Sequence, residues 1–334
     1  MSPCVITRNG RRTALLAALS GVFLPCMMRA DEARRTRVAR VGWIAAGAGA
    51  LPTPAYFEAL REGLRERGWV EGRNLAFEVR WGEPAKATQL VSEVYATDVD
   101  VLVAQGAMVL SAVKPARTTP IVFGFSGDPI EANLIESYAR PGRHLTGIAM
   151  QSPELVGKRL EMLLELLTPV RHIAILANPA HPGEQIELRH SQAAAQQLGL
   201  TVRYLRVTSQ EEVQAAFATI AAEKVDALVA FPDALVMSQA RNIAEFCATQ
   251  RIGAVSGWSE FAEAGNLMTY GPSLRATWKQ AAGFVDKLLR GARPEDLPVE
   301  QPSRYELVIN GRTARHLGLA IPASLQVRAD RIIT

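Results

Sequence analysis

The chain has 334 residues, of which 48% are hydrophobic, 21% charged and 6% aromatic, with 25 Gly and 19 Pro. This balance excludes a disordered chain, a collagen-like repeat and a disulfide mini-protein, and the length suits about two domains, each with its own core. The formal charge of +4 belongs to the first thirty residues, where Arg8, Arg11, Arg12 and Arg29 face no acid, while the other residues balance 33 basic against 33 acidic side chains. The basic footprint of a nucleic-acid or anionic-membrane binder is therefore missing, and no nucleic-acid partner is expected.

Residues 1–30 have the build of a secretory signal: a basic stretch to Arg12, an apolar run from Ala14 to Leu24, then Pro25 to Ala30. The apolar run is too short to span a bilayer, and no later run approaches about 18 uninterrupted apolar residues. The expectation is an exported protein cut near Ala30 and free in the periplasm. Arg11 with Arg12 leaves a twin-arginine route open, against the poor continuation Thr13–Ala14, and Cys26 leaves a lipidated one open, against Phe23, Leu24 and Pro25 before it. Loss of Cys4 and Cys26 with this leader leaves Cys247 without an intrachain partner, on a helical pattern with Ile243 and Phe246 that reads as core.

From Val38 onward, short β-rich runs alternate with longer amphipathic stretches, the pattern of a parallel sheet with crossover helices. Strands are predicted at 38–45, 74–81, 100–105 and 120–125, with helices at about 54–67, 85–97 and 107–117 between them. After residue 150 the cycle restarts, with strands at 172–177, 201–207, 226–231 and 252–256 and helices at about 184–198, 210–223 and 235–250. VDVLVAQ from Val99 echoes VDALVAF from Val225, a weak duplication with a period near 130 residues, too long for a solenoid. The reading is α/β, with two similar Rossmann-like lobes.

Open α/β sheets bind ligands at the carboxyl ends of their strands, where loops lead into helix N-termini. The candidates there are Gln105, Gly106, Ser126, Asp128, Asn178, Asp233, Trp258 and Tyr270. Asp128–Pro129 and Asn178–Pro179 read as helix N-caps followed by Pro at the first helical position, a role compatible with presenting amides to a carboxylate. Phe125 and Phe231 read as core. Trp258 and Tyr270 fall on loops, where either ring could stack on a planar ligand.

Catalytic signatures are scarce. Gly47 and Gly49 begin a dinucleotide fingerprint, but Pro52 stands where its third glycine belongs. His144, His172, His181, His190 and His316 lack metal-ligand spacing, and Glu260 and Phe261 after Ser259 break the nucleophile-elbow pattern. No catalytic residue, metal or cofactor is expected.

Four segments resemble one family: LPVEQPSRYELVINGRTARHLGLAIPASLQVRAD at 297–330, FAEAGNLMTYGPSL at 261, SGDPIEANLIESYARPGRHLTG at 126 and ALVAFPDALVMSQARNIAEF at 227. They are similar to the tryptophan/tyrosine-type substrate-binding proteins of ABC transporters, from about Val41 to the end. The resemblance implies a type I periplasmic binding protein fold, two lobes joined by a three-segment hinge, with the ligand between them. Crossings are expected near 150, 271 and 298, giving an N-terminal lobe of 38–150 plus 272–297 and a C-terminal lobe of 151–271 plus 298–334. Gly271, Pro272 and Pro298 would absorb the hinge rotation. Asn178–Pro179, Pro232–Asp233 and Tyr270–Gly271 match pairs of the family, whereas Ser256-Gly257-Trp258 departs from its commoner pattern. The implied function is a monomeric periplasmic receptor for a small organic ligand, an amino acid or related carboxylate, delivered to an ABC permease in the inner membrane. Asp233 would face an ammonium. A sensory receptor of the same fold and a secreted α/β enzyme with an unrecognised nucleophile are the alternatives.

Overall fold

The computed structural model describes residues 37–46, 53–113, 118–142, 144–150 and 154–334. The leader, its cleavage point, Gly47, Gly49 and Pro52 lie outside these. Ala39–Thr334 form one compact unit built on two sheets, each covered by helices.

The first sheet has five parallel strands in the order β2-β1-β3-β4-β5: β1 (Ala39–Ala46), β2 (Leu75–Gly82), β3 (Val101–Gln105), β4 (Ile121–Phe125) and β5 (Leu145–Ala149). Strands β3, β4 and β5 are buried along their whole length, as expected for a parallel sheet covered on both faces. The connecting helices are α1 (Thr53–Glu66), α2 (Ala87–Tyr95) and α3 (Ala107–Val113). Strand β5 escapes sequence inspection because Gly147 interrupts it. There φ is +148° and an added Cβ would lie 2.2 Å from Phe123 O, so only glycine lets β5 pair so closely with β4.

The second sheet has seven strands in the order β12-β11-β10-β9-β8-β6-β7. They are β6 (His172–Ala177), β7 (Thr201–Arg206), β8 (Ala227–Ala230), β9 (Gly253–Ser256), β10 (Met268–Pro272), β11 (Tyr305–Asn310) and β12 (Arg331–Ile333). All pairings are parallel except β10 with β11. Its helices are α4 (Glu154–Leu166), α5 (Glu184–Gln197), α6 (Gln210–Glu223), α7 (Ala234–Ser238), α8 (Ala240–Gln250) and α9 (Ser259–Glu263). Helix α6 starts on a side-chain cap: Ser209 Oγ accepts from the Glu212 amide at 3.3 Å, while Glu212 Oε2 accepts from the Thr208 amide, just before the cap, at 2.6 Å. The stretch predicted as one helix over 235–250 is two, α7 and α8, parted at Gln239.

The chain passes between the sheets after β5, again after β10, and a third time before β11. The second passage leads into α10 (Leu274–Leu289), which packs on α1 and on β3, β4 and β5 of the first sheet. Residues after α10 stay with that sheet, since the Glu300 amide donates to Gly147 O and Glu300 O accepts from the Ala149 amide. The chain ends in α11 (Gly311–His316), α12 (Ala323–Arg328) and β12. Gly271, expected in a hinge loop, lies inside β10, where an added Cβ would stand 2.0 Å from Gly257 O. Its glycine serves close packing of two backbones.

One large buried apolar cluster runs through both lobes, from Trp43, Tyr56 and Leu60 to Trp258, Phe261 and Leu274 and on to Leu228 and Ile243. Two smaller clusters belong one to each sheet. Cys247 is buried, and burial pushes its thiol up to about 12, so the side chain behaves as a small hydrophobe.

Candidate functional site

A cavity of about 300 Å³ lies where the carboxyl ends of the two sheets face each other. The first lobe contributes the ends of β1, β3 and β4, with Gln105, Gly106 and Ser126 on its wall. The second contributes the loops after β6, β7, β8 and β9, with Asn178, Asp233 and Trp258. Apolar side chains supply most of the remaining wall, including Met150, Leu235, Leu274 and Trp278. No Lys or Arg lines it among the described residues.

Two candidates lie elsewhere. Asp128 is spent on its own turn, where Oδ1 accepts from the amides of Ile130 at 2.7 Å and Glu131 at 3.1 Å. The residues after it make successive turns and no helix, so it caps a turn rather than an N-terminus. Tyr270 is within strand β10, packed against the core of the second sheet, and its carbonyl accepts from Arg159 Nε at 2.9 Å. Its loop placement is corrected: Tyr-Gly-Pro reads as a turn, but Met268–Pro272 pairs along its whole length with β11, and Met268 and Thr269 also pair with β9. Asn178 lines the cavity, yet it too closes a turn, with Oδ1 accepting from the Ala180 amide at 3.0 Å, and the helix starts later, at Glu184.

Asp233 is the only charged side chain on the wall among the described residues. It is 3% exposed and caps α7, with Oδ1 accepting from the Val236 amide at 2.9 Å; Oδ2 is buried without a hydrogen bond. Burial pushes its carboxyl from the ordinary 3.8 up to about 6, with the Glu187 carboxylate adding to the rise and the Val236, Leu235 and Asn178 amides opposing it. Glu187 pairs with Arg159 at 2.5 Å, side chains 14% and 7% exposed, and burial raises its carboxyl despite that partner. Across the cavity, Gln105 Oε1 is likewise buried without a donor. A solute with N–H groups would satisfy both acceptors, and orphaned buried acceptors are costly otherwise.

Trp258 has two roles at once. It is 6% exposed, belongs to the large apolar cluster and also walls the cavity. Trp278 does the same from α10: its ring meets Trp43 edge-on at 4.9 Å, and its tip lies over Gly124, where an added Cβ would be 2.6 Å from Cη2. Only the neighbouring glycine on β4 brings the ring to the wall. His181, considered above for metal spacing alone, also lines the cavity; the signal was its place three residues after Asn178 on one strand-end loop.

The lobes touch beside the cavity. Ser126 Oγ of the first lobe lies 2.7 Å from His181 Nε2 of the second. Tyr56 on α1 donates its phenol to Glu260 Oε1 on α9. Burial raises the pKa of both groups of this second pair, and the phenol gives the buried carboxyl a donor.

Two α/β lobes with a cavity at the carboxyl ends of both sheets define the type I periplasmic binding protein fold. Solved structures of that shape match closely. A conserved domain protein from Vibrio cholerae is 28% identical with a TM-score of 0.81, covering 89% of this chain and 100% of its own. An ABC domain in complex with L-Trp from Streptococcus pneumonia is 22% identical with a TM-score of 0.81, covering 88% and 99%. A tyrosine-binding protein of Clostridioides difficile is 20% identical over 259 residues, 77% of this chain and 74% of that protein. The chain belongs to the family of ABC transporter substrate binding proteins, which it matches over residues 54–333. Its role is solute binding, and the family is one of binding proteins rather than of enzymes.

Proposed function

We propose that the protein is the periplasmic receptor of an ABC importer, capturing a small organic ligand, an amino acid or related carboxylate, between its lobes and delivering it to an inner-membrane permease. The observation that carries this reading is the cavity itself: two indoles for an apolar or planar body, and the buried acceptors Asp233 Oδ2 and Gln105 Oε1 for an ammonium. The names of the Streptococcus and Clostridioides relatives, one bound to L-Trp and one tyrosine-binding, support an aromatic amino acid. The leader-like build of residues 1–30 supports export, and no helix among the described residues is long and apolar enough to cross a membrane.

Closure follows from the same arrangement. The three passages of the chain between the sheets act as the hinge, and the Tyr56–Glu260 and Ser126–His181 contacts hold the lobes together over the ligand. An affinity near 1 μM needs about −8 kcal/mol, which a stacked ring, a few hydrogen bonds and apolar burial supply after ordering costs.

Calorimetric titration against L-tryptophan, L-tyrosine, other amino acids and small carboxylates tests the reading. Micromolar binding without turnover, with a smaller radius of gyration in solution scattering, is expected. Absence of binding across the panel overturns it, and turnover of a bound compound would point to an enzyme.

A further inference from the structure

His181 lies between two partners of opposite hydrogen-bonding character. The Gly183 amide donates to His181 Nδ1 at 3.1 Å, so that nitrogen carries no proton. A neutral imidazole then keeps its proton on Nε2, and Nε2–H must be the donor in the 2.7 Å contact with Ser126 Oγ. Ser126 accepts this bond and is left with its own hydroxyl proton, on a residue that lines the cavity. Protonating the ring would set Nδ1–H against the Gly183 N–H, two donors facing each other.

We propose that His181 is a specificity-determining positioning residue, which fixes the Ser126 hydroxyl as a hydrogen-bond donor toward the ligand and makes the first-lobe side of the cavity select an acceptor group, a carboxylate or carbonyl. The inference rests on the receptor reading and refines it. The polarity of the cavity is then ordered: a donor at Ser126, and acceptors at Gln105 Oε1 and Asp233 Oδ2. A ligand must present its acceptor and its N–H groups in the matching arrangement. Because the two residues come from different lobes, the bond exists only when the lobes are closed.

A dependence on acidity follows. With the lobes apart, an exposed imidazole titrates near its ordinary 6.5. In the closed structure burial alone pushes His181 down to about 4. Closure therefore requires the neutral ring, and its contribution fades as pH falls below about 6.5. The carboxyls of Asp233, Glu184, Glu187 and Glu260 act in the opposite sense, since burial raises each of them. Arg159 stays paired with Glu187. The histidine's share is isolated by comparing the protein with a variant lacking the ring.

The test uses L-tryptophan and its decarboxylated counterpart tryptamine, titrated at pH 7.5 and pH 5.5. Ser126→Ala is expected to weaken L-tryptophan by about tenfold or more, the worth of a hydrogen bond to a charged group, while leaving tryptamine within about twofold. His181→Asn should reproduce that pattern, and the double variant should be no worse than either single one. His181→Gln, with an amide donor and no titrating ring, should restore part of the affinity and remove the roughly tenfold loss between the two pH values that the ring imposes. Nitrogen-15 spectra of the unsubstituted protein with L-tryptophan should show the Nε2–H tautomer at pH 7.5. Equal losses for both probes, an Nδ1–H or doubly protonated ring, or unchanged pH dependence in His181→Gln would overturn the proposal. Binding of another solute with neither probe bound would also overturn it and leave the receptor reading intact; no binding of any solute would remove both.

Discussion

Asp233→Asn should stabilise the ligand-free protein while weakening its affinity. The carboxyl is 3% exposed and its pKa stands at about 6 rather than 3.8, so keeping it ionised at pH 7 costs about 3 kcal/mol relative to an exposed aspartate. The sign follows from the raised value: the folded state holds this proton more tightly than the unfolded chain, so the cost is present above pH 6 and disappears as pH falls toward 4. Asparagine removes the charge and keeps the cap, because its Oδ1 can accept from the Val236 amide at 2.9 Å as the aspartate does, and Asn caps helices as well as Asp. Urea unfolding at pH 7 should therefore show a gain of up to about 3 kcal/mol, shrinking below about 1 kcal/mol at pH 4. Titration with L-tryptophan at pH 7 should show weaker binding by tenfold or more, since the ammonium loses its counter-charge. A variant that is less stable at pH 7, or a gain unchanged between the two pH values, would refute the claim that the folded protein holds a strained charge at this position.

Further expectations concern the packing around the site. Arg159→Met leaves Glu187 buried without its partner and should cost about 3 to 5 kcal/mol in urea unfolding, whereas adding Glu187→Met should recover at least about 2 kcal/mol of it. Gly124→Ala places a methyl 2.6 Å from Trp278, which is 1% exposed, so a loss of about 1 to 3 kcal/mol is expected, reduced when Trp278→Leu is made together with it. Trp258→Ala should lower both stability, by about 3 to 5 kcal/mol, and affinity, because the ring is core and cavity wall together; loss of only one of the two would assign it a single role.

Much of this was legible because the local rules agree with the global fold. Helix α6 is read from the amphipathic stretch at 210–223, and β3 and β8 from the echo of VDVLVAQ in VDALVAF. The strand-end rule led to Gln105, Gly106, Ser126, Asn178, Asp233 and Trp258, which the fold gathers on one cavity. It failed at Asp128 and Tyr270 for local reasons: the first is consumed by its own turn, and the second continues a strand through a Tyr-Gly-Pro run that reads as a turn. Trp278, Leu274 and Met150 could not be found this way. Trp278 and Leu274 reach the wall through the return of α10 onto the first sheet, a nonlocal event that leaves no periodic mark, and Met150 follows strand β5, which Gly147 hides from inspection. The split of α7 from α8 at Gln239 was hidden because ALVMSQARNIAEF keeps one amphipathic pattern across the break.

The apolar cluster that runs unbroken from Trp43 through Tyr56, Trp258 and Leu274 into Leu228 has a thermodynamic consequence. If the lobes open and close as proposed, opening divides it and wets both faces, so each cycle of capture and release would transfer protein surface, and not only the ligand, between water and interior. The heat capacity change on binding should then be more negative than the ligand's own buried area accounts for, and the binding enthalpy should steepen with temperature accordingly. In this respect the receptor behaves like a small folding reaction, with the solute as the last piece of its core.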